Sequence, residues 1–195
     1  MSDNKQHPLI KPIAEALGFE LGPTQYEHGG DILTDFGAKF FIRFDTWRKA
    51  GKAEVSGQYP TDCTGQTHYP RGARTEIGFS QTKSVDKIAN DIAKRFLPEF
   101  KEQWQICKEA AEKSSRYYED KSKRLNDVVK VAGLNYDAIT PQRAQNEVTG
   151  FLNDSDNWCR VRACSDTLDL EIHSLPDDLA FKIIEMVRAH ERISP

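Results

Sequence analysis

The sequence predicts an α+β protein: an antiparallel β-meander and a second β-hairpin backed by amphipathic helices, with a long polar helix or helical hairpin in the middle. Three observations predict it. Three successive stretches between residues 38 and 80 alternate apolar and polar residues and are joined by turn-rich connectors. Two segments, 84–100 and 177–190, repeat apolar residues at helical spacing. The order of elements also recurs. IGFSQTKSVDKIANDIAKRF and LEIHSLPDDLAFKIIEMVRA each pass from an alternating strand through a short turn into an amphipathic helix, without clear residue identity. Strands followed by helices in this way indicate sheets backed by helices.

PLIKPIAEALGF (8–19) sets Leu9, Ile10, Ile13, Ala14 and Leu17 on one helical face, with Gly18, Gly22 and Pro23 ending the helix. EHGGD (27–31) reads as a turn. AKFFIRFD (38–45) reads as a strand with Phe40, Ile42 and Phe44 on one side and Lys39, Phe41 and Arg43 on the other. After the turn RKAG comes KAEVSGQY (52–59), with Ala53, Val55, Gly57 and Tyr59 inward. RTEIGFS (74–80) follows, with Thr75, Ile77 and Phe79 inward. Helix 84–100 takes Ser84 as N-cap and Asp86 in its first turn, and its stripe of Val85, Ile88, Ala89, Ile92 and Phe96 should face the sheet. Pro98 must kink or interrupt it.

Residues 99–132 stay helix-like but turn polar, with a thin stripe of Trp104, Cys107, Ala111, Tyr118, Leu125, Val128 and Ala132. Such a helix would be about 50 Å long at ~1.5 Å per residue. It therefore either projects or breaks near Ser114-Ser115 into a hairpin, and Gly133 is a natural stop. Residues 134–157 read mostly as connector. WCRVRAC (158–164) and LDLEIH (168–173) form a hairpin with Leu168, Leu170 and Ile172 inward, then a helix follows with Leu179, Ala180, Ile183, Ile184 and Val187 inward. The segments group as 1–100, 101–133 and 134–195, the last completing the domain begun by the first.

The net charge of −3 is unevenly spread. Residues 38–133 carry 19 Lys and Arg against 13 Asp and Glu, and both flanking segments are acidic. A basic middle points to a surface rather than to a fold. No apolar run approaches the ~18 residues of a membrane span. The N-terminus MSDNKQHPLIKP lacks a signal pattern, so a soluble cytoplasmic chain is expected. Cys63, Cys107, Cys159 and Cys164 form no CxxC pair, so free thiols are expected. Cys63 with His68, and Cys159 with Cys164, could be drawn together around zinc, but the spacing is not that of the familiar fingers. No metal or cofactor is expected.

Chemistry concentrates in QTHYPRGART (66–75), the most basic and hydrogen-bond-rich connector. His68, Tyr69, Arg71 and Arg74 lie in it, and Lys83 precedes a helix N-terminus, where anions are favoured. Lys39, Phe41, Arg43 and Lys52 extend the surface along the outward strand face. Basic groups interleaved with aromatics suit single-stranded nucleic acid, whose bases stack while its phosphates pair. Glu54 and Glu76 dilute that charge.

On the polar helix, Arg116, Tyr117, Tyr118, Lys121 and Arg124 suit a protein-facing surface or a homodimer contact. The helix could equally be an ordinary exposed one held by pairs such as Glu109–Lys113 and Glu112–Arg116. Arg160 and Arg162 face Asp169 and Glu171 as cross-strand pairs. GxSxG, Walker, HExxH and GxGxxG signatures are absent. His68 with Asp62 or Cys63 is the best acid–base or nucleophile candidate, ahead of His28 with Asp31.

The segment FFIRFDTWRKAGKAEVSGQYP…TEIGFSQTKSVDKIANDIAKRFLPEF resembles uncharacterised proteins carried by phages and mobile elements, which pair strands with a "TKS…IA.DI.RR.LPE" helix. The resemblance carries no assigned activity. It implies a small accessory protein of the kind that binds host machinery, defence complexes included. The sequence thus favours a non-enzymatic binding protein contacting nucleic acid or a host nucleoprotein complex. The alternatives are a protein–protein inhibitor or assembly factor using the long helix, and a small enzyme using His68.

Overall fold

The computed structural model describes residues 7–45, 51–131, 138–145, 148–151, 158–163, 167–173 and 177–191. The chain is α+β and divides into two compact units, Met1–Lys113 and Ser114–Pro195.

In the first unit, α1 (Ile10–Leu17) ends at Gly18, whose φ of 71° is the left-handed conformation that glycine tolerates at a helix stop. Five antiparallel strands follow in sequential order: β1 (Glu20–Tyr26), β2 (Gly29–Leu33), β3 (Lys39–Asp45), β4 (Lys52–Gln58) and β5 (Glu76–Ser80). The last three are the predicted meander. β1 and β2 are additions: Gly29–Asp31, read as a turn, belongs to a strand paired with Arg43–Phe41. The glycines misled the reading because they serve close approach. A Cβ at Gly29 would stand 2.3 Å from the Ile42 carbonyl oxygen, so only glycine lets these strands close.

The helices cover one face of this sheet. Phe40, Ile42, Phe44, Ala53, Val55 and Phe79 from the strands are buried with Ile10, Ile13, Ile88, Ile92, Phe96 and Phe100. The expected inward faces of β3, β4, β5 and the following helix are thus observed. Phe40, Phe96 and Phe100 meet at centroid distances of 4.9–6.5 Å. Each buried ring contributes about 1.5–3 kcal/mol of transfer free energy. Phe100 lies against Gly57, where a Cβ would fall 2.3 Å from its ring.

Ser84 holds the N-cap position of α2 (Val85–Asp91) with extended backbone but without a side-chain cap hydrogen bond. The expected disturbance at Pro98 takes the form of a π-helical turn over Ile92–Phe96, closed by Leu97 N–H donating to Ile92 O. The wider turn accommodates the proline ring, which would clash with the carbonyl four residues back. Helix then resumes as α3 (Leu97–Val131), one unbroken helix and not a hairpin at Ser114-Ser115.

In the second unit, β6 (Val148–Phe151), β7 (Trp158–Ala163) and β8 (Leu168–His173) form an antiparallel sheet, and α4 spans Asp177–Glu191. β6 is a strand within the predicted connector. Leu125, Val129, Ile139, Ala144 and Val161 are the buried core. Asn126 clamps residue 139 to α3: its Oδ1 accepts from Ile139 N–H (2.8 Å) and its Nδ2 donates to Ile139 O (2.9 Å). Buried Ser122 donates to the same carbonyl.

Three residues predicted inward are not. Leu170, on edge strand β8, and Leu179 and Ile184, on α4, are exposed, while Ala180 and Ile183 are half-buried. Among the described residues, the buried core of this unit takes none from α4. Leu168 and Val187 have no described side chain.

Candidate functional site

Paired positions in an antiparallel sheet share a face. The register therefore puts Tyr26, Gly29, Asp31, Lys39, Phe41, Arg43, Glu54, Ser56, Gln58 and Glu76 on the side of the five-stranded sheet opposite the aromatic core. Tyr26, 54% exposed, meets Phe41 edge-on at 6.3 Å. A Cβ at Gly29 would approach the Phe41 ring to 2.9 Å, so the missing side chain is what seats that ring against β2. Lys39 and Arg43 flank Phe41 on the same strand. Arg43 Nη2 reaches Glu54 Oε2 at 3.2 Å, as the dilution by Glu54 anticipated. Asp31, outward but buried, accepts a hydrogen bond from Gln58. His28, its neighbour in sequence, is exposed in the β1–β2 turn. Lys52 is exposed, and its carbonyl accepts from Gln81 Nε2 at 2.6 Å.

The connector between β4 and β5 is rigidly built. The fully buried carboxylate of Asp62 accepts from Thr64 N–H (2.9 Å), Thr64 Oγ1 (2.6 Å) and Gln66 N–H (3.1 Å), and stands 2.9 Å from His68 Nε2. Thr61 and Thr67 bridge across this small turn, and His68 N–H donates to Pro60 O. Much of the loop's polar inventory is therefore spent on its own shape. Tyr69 stays 52% exposed, with the Arg74 guanidinium 3.8 Å above its ring. Arg71 is exposed beside it, next to Gly72 at φ 110°.

Gln103 on α3 anchors the loop's far end. Its Oε1 accepts from Tyr59 Oη (2.6 Å) and Thr75 N–H (3.2 Å). Burial pushes the Tyr59 phenol up, which keeps it a donor. Burial likewise pushes the Cys107 thiol up, away from thiolate chemistry.

The structure brings together Lys39, Phe41 and Arg43 on one strand, and His68, Tyr69, Arg71 and Arg74 in one loop. It gives Lys83 a different task. Its Nζ sits 2.5 Å from Asp91 Oδ2 and holds that carboxyl below the usual carboxylate range, so the ammonium serves the helix and not an anion at its start.

On α3, Tyr117 is exposed and meets Tyr118 edge-on at 5.1 Å, with Lys121 Nζ 6.0 Å from the Tyr118 ring and Arg116 exposed nearby. Arg124 Nη2 donates to Thr167 O at 3.0 Å, an internal role. The described ion pair along this stretch is Lys108–Glu112 at 4.0 Å, where Glu109–Lys113 and Glu112–Arg116 were expected, and Glu109 accepts from Gln105 instead. The expected cross-strand pair Arg160–Glu171 is present at 3.2 Å, and Arg162 stands opposite Asp169. Among the described residues no three His, Cys, Asp or Glu side chains converge as a metal site. Cys164 lies outside the described residues, as does the Cys159 side chain.

Tyr26 and Gln103 were missed by sequence reasoning, and Asp62 was named only as a possible partner of His68, not as the organiser of the turn. Asp62 left a signal, since an aspartate two and four residues before Thr64 and Gln66 is a common organiser of tight turns. Tyr26 and Gln103 left none. No described helix is long and apolar enough to cross a membrane. No family model, curated protein or solved structure matches the chain.

Proposed function

We propose that the chain is a non-enzymatic binding protein that contacts single-stranded nucleic acid, free or within a nucleoprotein complex, through the open face of its five-stranded sheet and the adjoining 59–75 loop. The observation that carries the reading is the Tyr26–Phe41 pair, set outward on the sheet with Lys39 and Arg43 on either side of Phe41. Bases stack on such rings whatever their sequence, at about 1–3 kcal/mol each. Tyr69, exposed beneath Arg74, adds a third ring.

The charge around these rings bounds the phosphate term. Arg43 is shared with Glu54 and Lys83 with Asp91, whereas Lys39 and Arg71 form no ion pair among the described residues. About two or three phosphate contacts follow, so log K should fall with log salt at a slope near −2, shallow for a nucleic-acid binder. Fluorescence anisotropy with labelled single-stranded DNA and RNA at about 50 and 200 mM salt tests this. Tyr26→Ala with Phe41→Ala should lower affinity at least tenfold, and Arg71→Glu should flatten the salt slope. Binding untouched by the aromatic substitutions would overturn the placement.

A protein-facing role for α3 is the second reading, favoured by the exposed Tyr117 against Tyr118. Action on a host defence complex would fit either reading and rests on the resemblance to phage-borne proteins alone. Catalysis is the least supported. Asp62 does orient His68, but the same carboxylate closes the turn with three other hydrogen bonds, which is sufficient reason for it to be buried there.

A further inference from the structure

We propose that a second copy of this chain pairs antiparallel along the open edge of β5, about a two-fold axis at Gly78, so that the two five-stranded sheets become one. Gln81 N–H donates to Gly51 O at 2.9 Å, and Phe44 N–H donates to His28 O at 2.7 Å. Backbone groups alternate sides along an antiparallel strand. Carried through the register, each of these bonds turns residues 77 and 79 toward β4 and residues 76, 78 and 80 away from it. β5 is the last strand of its sheet, so the N–H and C=O of Glu76 and Gly78 meet no ladder partner among the described residues. The opposite edge is blunted. β1 carries Pro23, which has no N–H, and its register shifts between Leu21 and Gln25. β5 has neither device, and Gly78 is exposed at its centre.

An open edge could take any extended segment; the residues around β5 select its own copy. With the axis at Gly78, each Gly78 N–H donates to the Gly78 carbonyl oxygen of the other copy. Ile77, half-buried on the face that carries the aromatic core, then lies opposite Phe79 of the second copy. Glu76 lies opposite Ser80, so neither carboxylate faces its own mate. Beyond Ser80, on the same face of the sheet, stands Lys52. Lys52 and Glu76 are exposed, and neither forms an ion pair among the described residues. One hydrogen-bonded and one non-hydrogen-bonded strand spacing would separate Glu76 from Lys52 of the second copy, about 10 Å between Cα atoms. The small side chain of Ser80 leaves the two long ones free to meet above it. Every contact occurs twice, as an isologous interface requires, and with β1 closed to pairing the assembly stops at two copies. The axis runs perpendicular to the sheet, so both copies keep Tyr26 and Phe41 on the same side.

Sedimentation equilibrium of the full chain from about 5 to about 500 μM reads the association directly. Amide hydrogen exchange at both ends of that range reads where it occurs. The expected result is a monomer–dimer equilibrium in which the Gly78 amide, open in the monomer, gains about tenfold protection or more at the higher concentration. The Ile77 and Phe79 amides, already bonded to β4, should change less. Gly78→Pro should abolish association. The N–H it removes serves no bond within the chain, and a Cβ there meets nothing closer than the Ala53 carbonyl oxygen at 3.7 Å, so the circular dichroism spectrum should stay unchanged. Glu76→Lys should weaken the dimer roughly tenfold, since it sets two lysine pairs where two ion pairs stood. A monomer throughout the range would overturn the proposal. So would a dimer that leaves the Gly78 amide as open as before, or one indifferent to Glu76→Lys or to a folded Gly78→Pro. If the proline unfolds the strand, the Gly78 amide and Glu76→Lys decide between them.

Discussion

In the first unit four phenylalanines, Phe40, Phe44, Phe96 and Phe100, are buried under one face of a five-stranded sheet. In the second, the largest fully buried described side chain is Leu125, and Leu170, Leu179, Phe181, Ile184 and Met186 remain exposed. The two units use the same strand–turn–helix order, but α1, α2 and the start of α3 all lend buried residues to the first core, whereas among the described residues of the second core only Leu125 and Val129 come from an α-helix, α3, and Ala144 comes from a short 3-10 turn at Arg143–Gln145. Repeating an order of elements therefore does not repeat a core. What decides is how many apolar faces are brought against the sheet.

The largest effects should separate the units. Phe100→Ala removes a ring that touches Phe40, Phe96 and Gly57, and should cost about 3–5 kcal/mol. Leu125→Ala, in a smaller core better able to collapse, should cost about 2–3 kcal/mol. Hydrogen exchange distinguishes them. The first change should strip protection from β3 and β4 amides, the second from β7 and β8. Equal loss across both sheets from either change would show one cooperative core and break the comparison.

Asn126→Ala is the next test. The second unit relies on a polar clamp where the first relies on rings, and removing the side chain leaves the Ile139 N–H without its acceptor. A loss of about 1–2 kcal/mol is expected, confined to the second unit. Asn126→Asp should recover the accepted bond but not the donated one, and so fall between, as read by urea unfolding. An Ala variant as stable as the original would mean that this clamp is dispensable.

The same comparison explains what the sequence made legible. β3, β4, β5, α1 and α2 alternate or repeat cleanly because each has one buried face, and their buried residues were named correctly. β1 and β2 were hidden because their tight approach demands glycine at 22 and 29, and glycine reads as turn. β6, four residues inside a polar stretch, carries too little periodicity to stand out. α4 was legible as a helix, yet its inward face was overcalled, since periodicity reports an apolar stripe without saying that anything covers it. At the candidate site, strand alternation disclosed Lys39, Phe41 and Arg43 as neighbours. Tyr26 could not be added, because its place depends on the register of strands that were not seen.

The smallest expected effect is a pH dependence confined to the first unit. His7 stacks on Phe44 at 3.7 Å, and its Nδ1 accepts from Leu9 N–H at the start of α1. Burial, and secondarily the neighbouring His28, lower its pKa below the usual 6.5. The folded state therefore prefers the neutral ring, while the unfolded chain takes up a proton more readily. The associated stability is complete above about pH 6.5 and is lost as pH falls from there through the lowered folded value. Protonation also removes the Nδ1 lone pair that accepts from Leu9 N–H. His7→Phe keeps a ring against Phe44 but cannot titrate. Urea midpoints at pH 7.5 and 5.5 should therefore differ more for the original than for the variant, with carboxylate effects common to both cancelling in the comparison. The second unit holds no equivalent stacked histidine among its described residues, so protection of β7 and β8 amides should show no His7-dependent change. Equal pH sensitivity in variant and original would remove His7 as the cause.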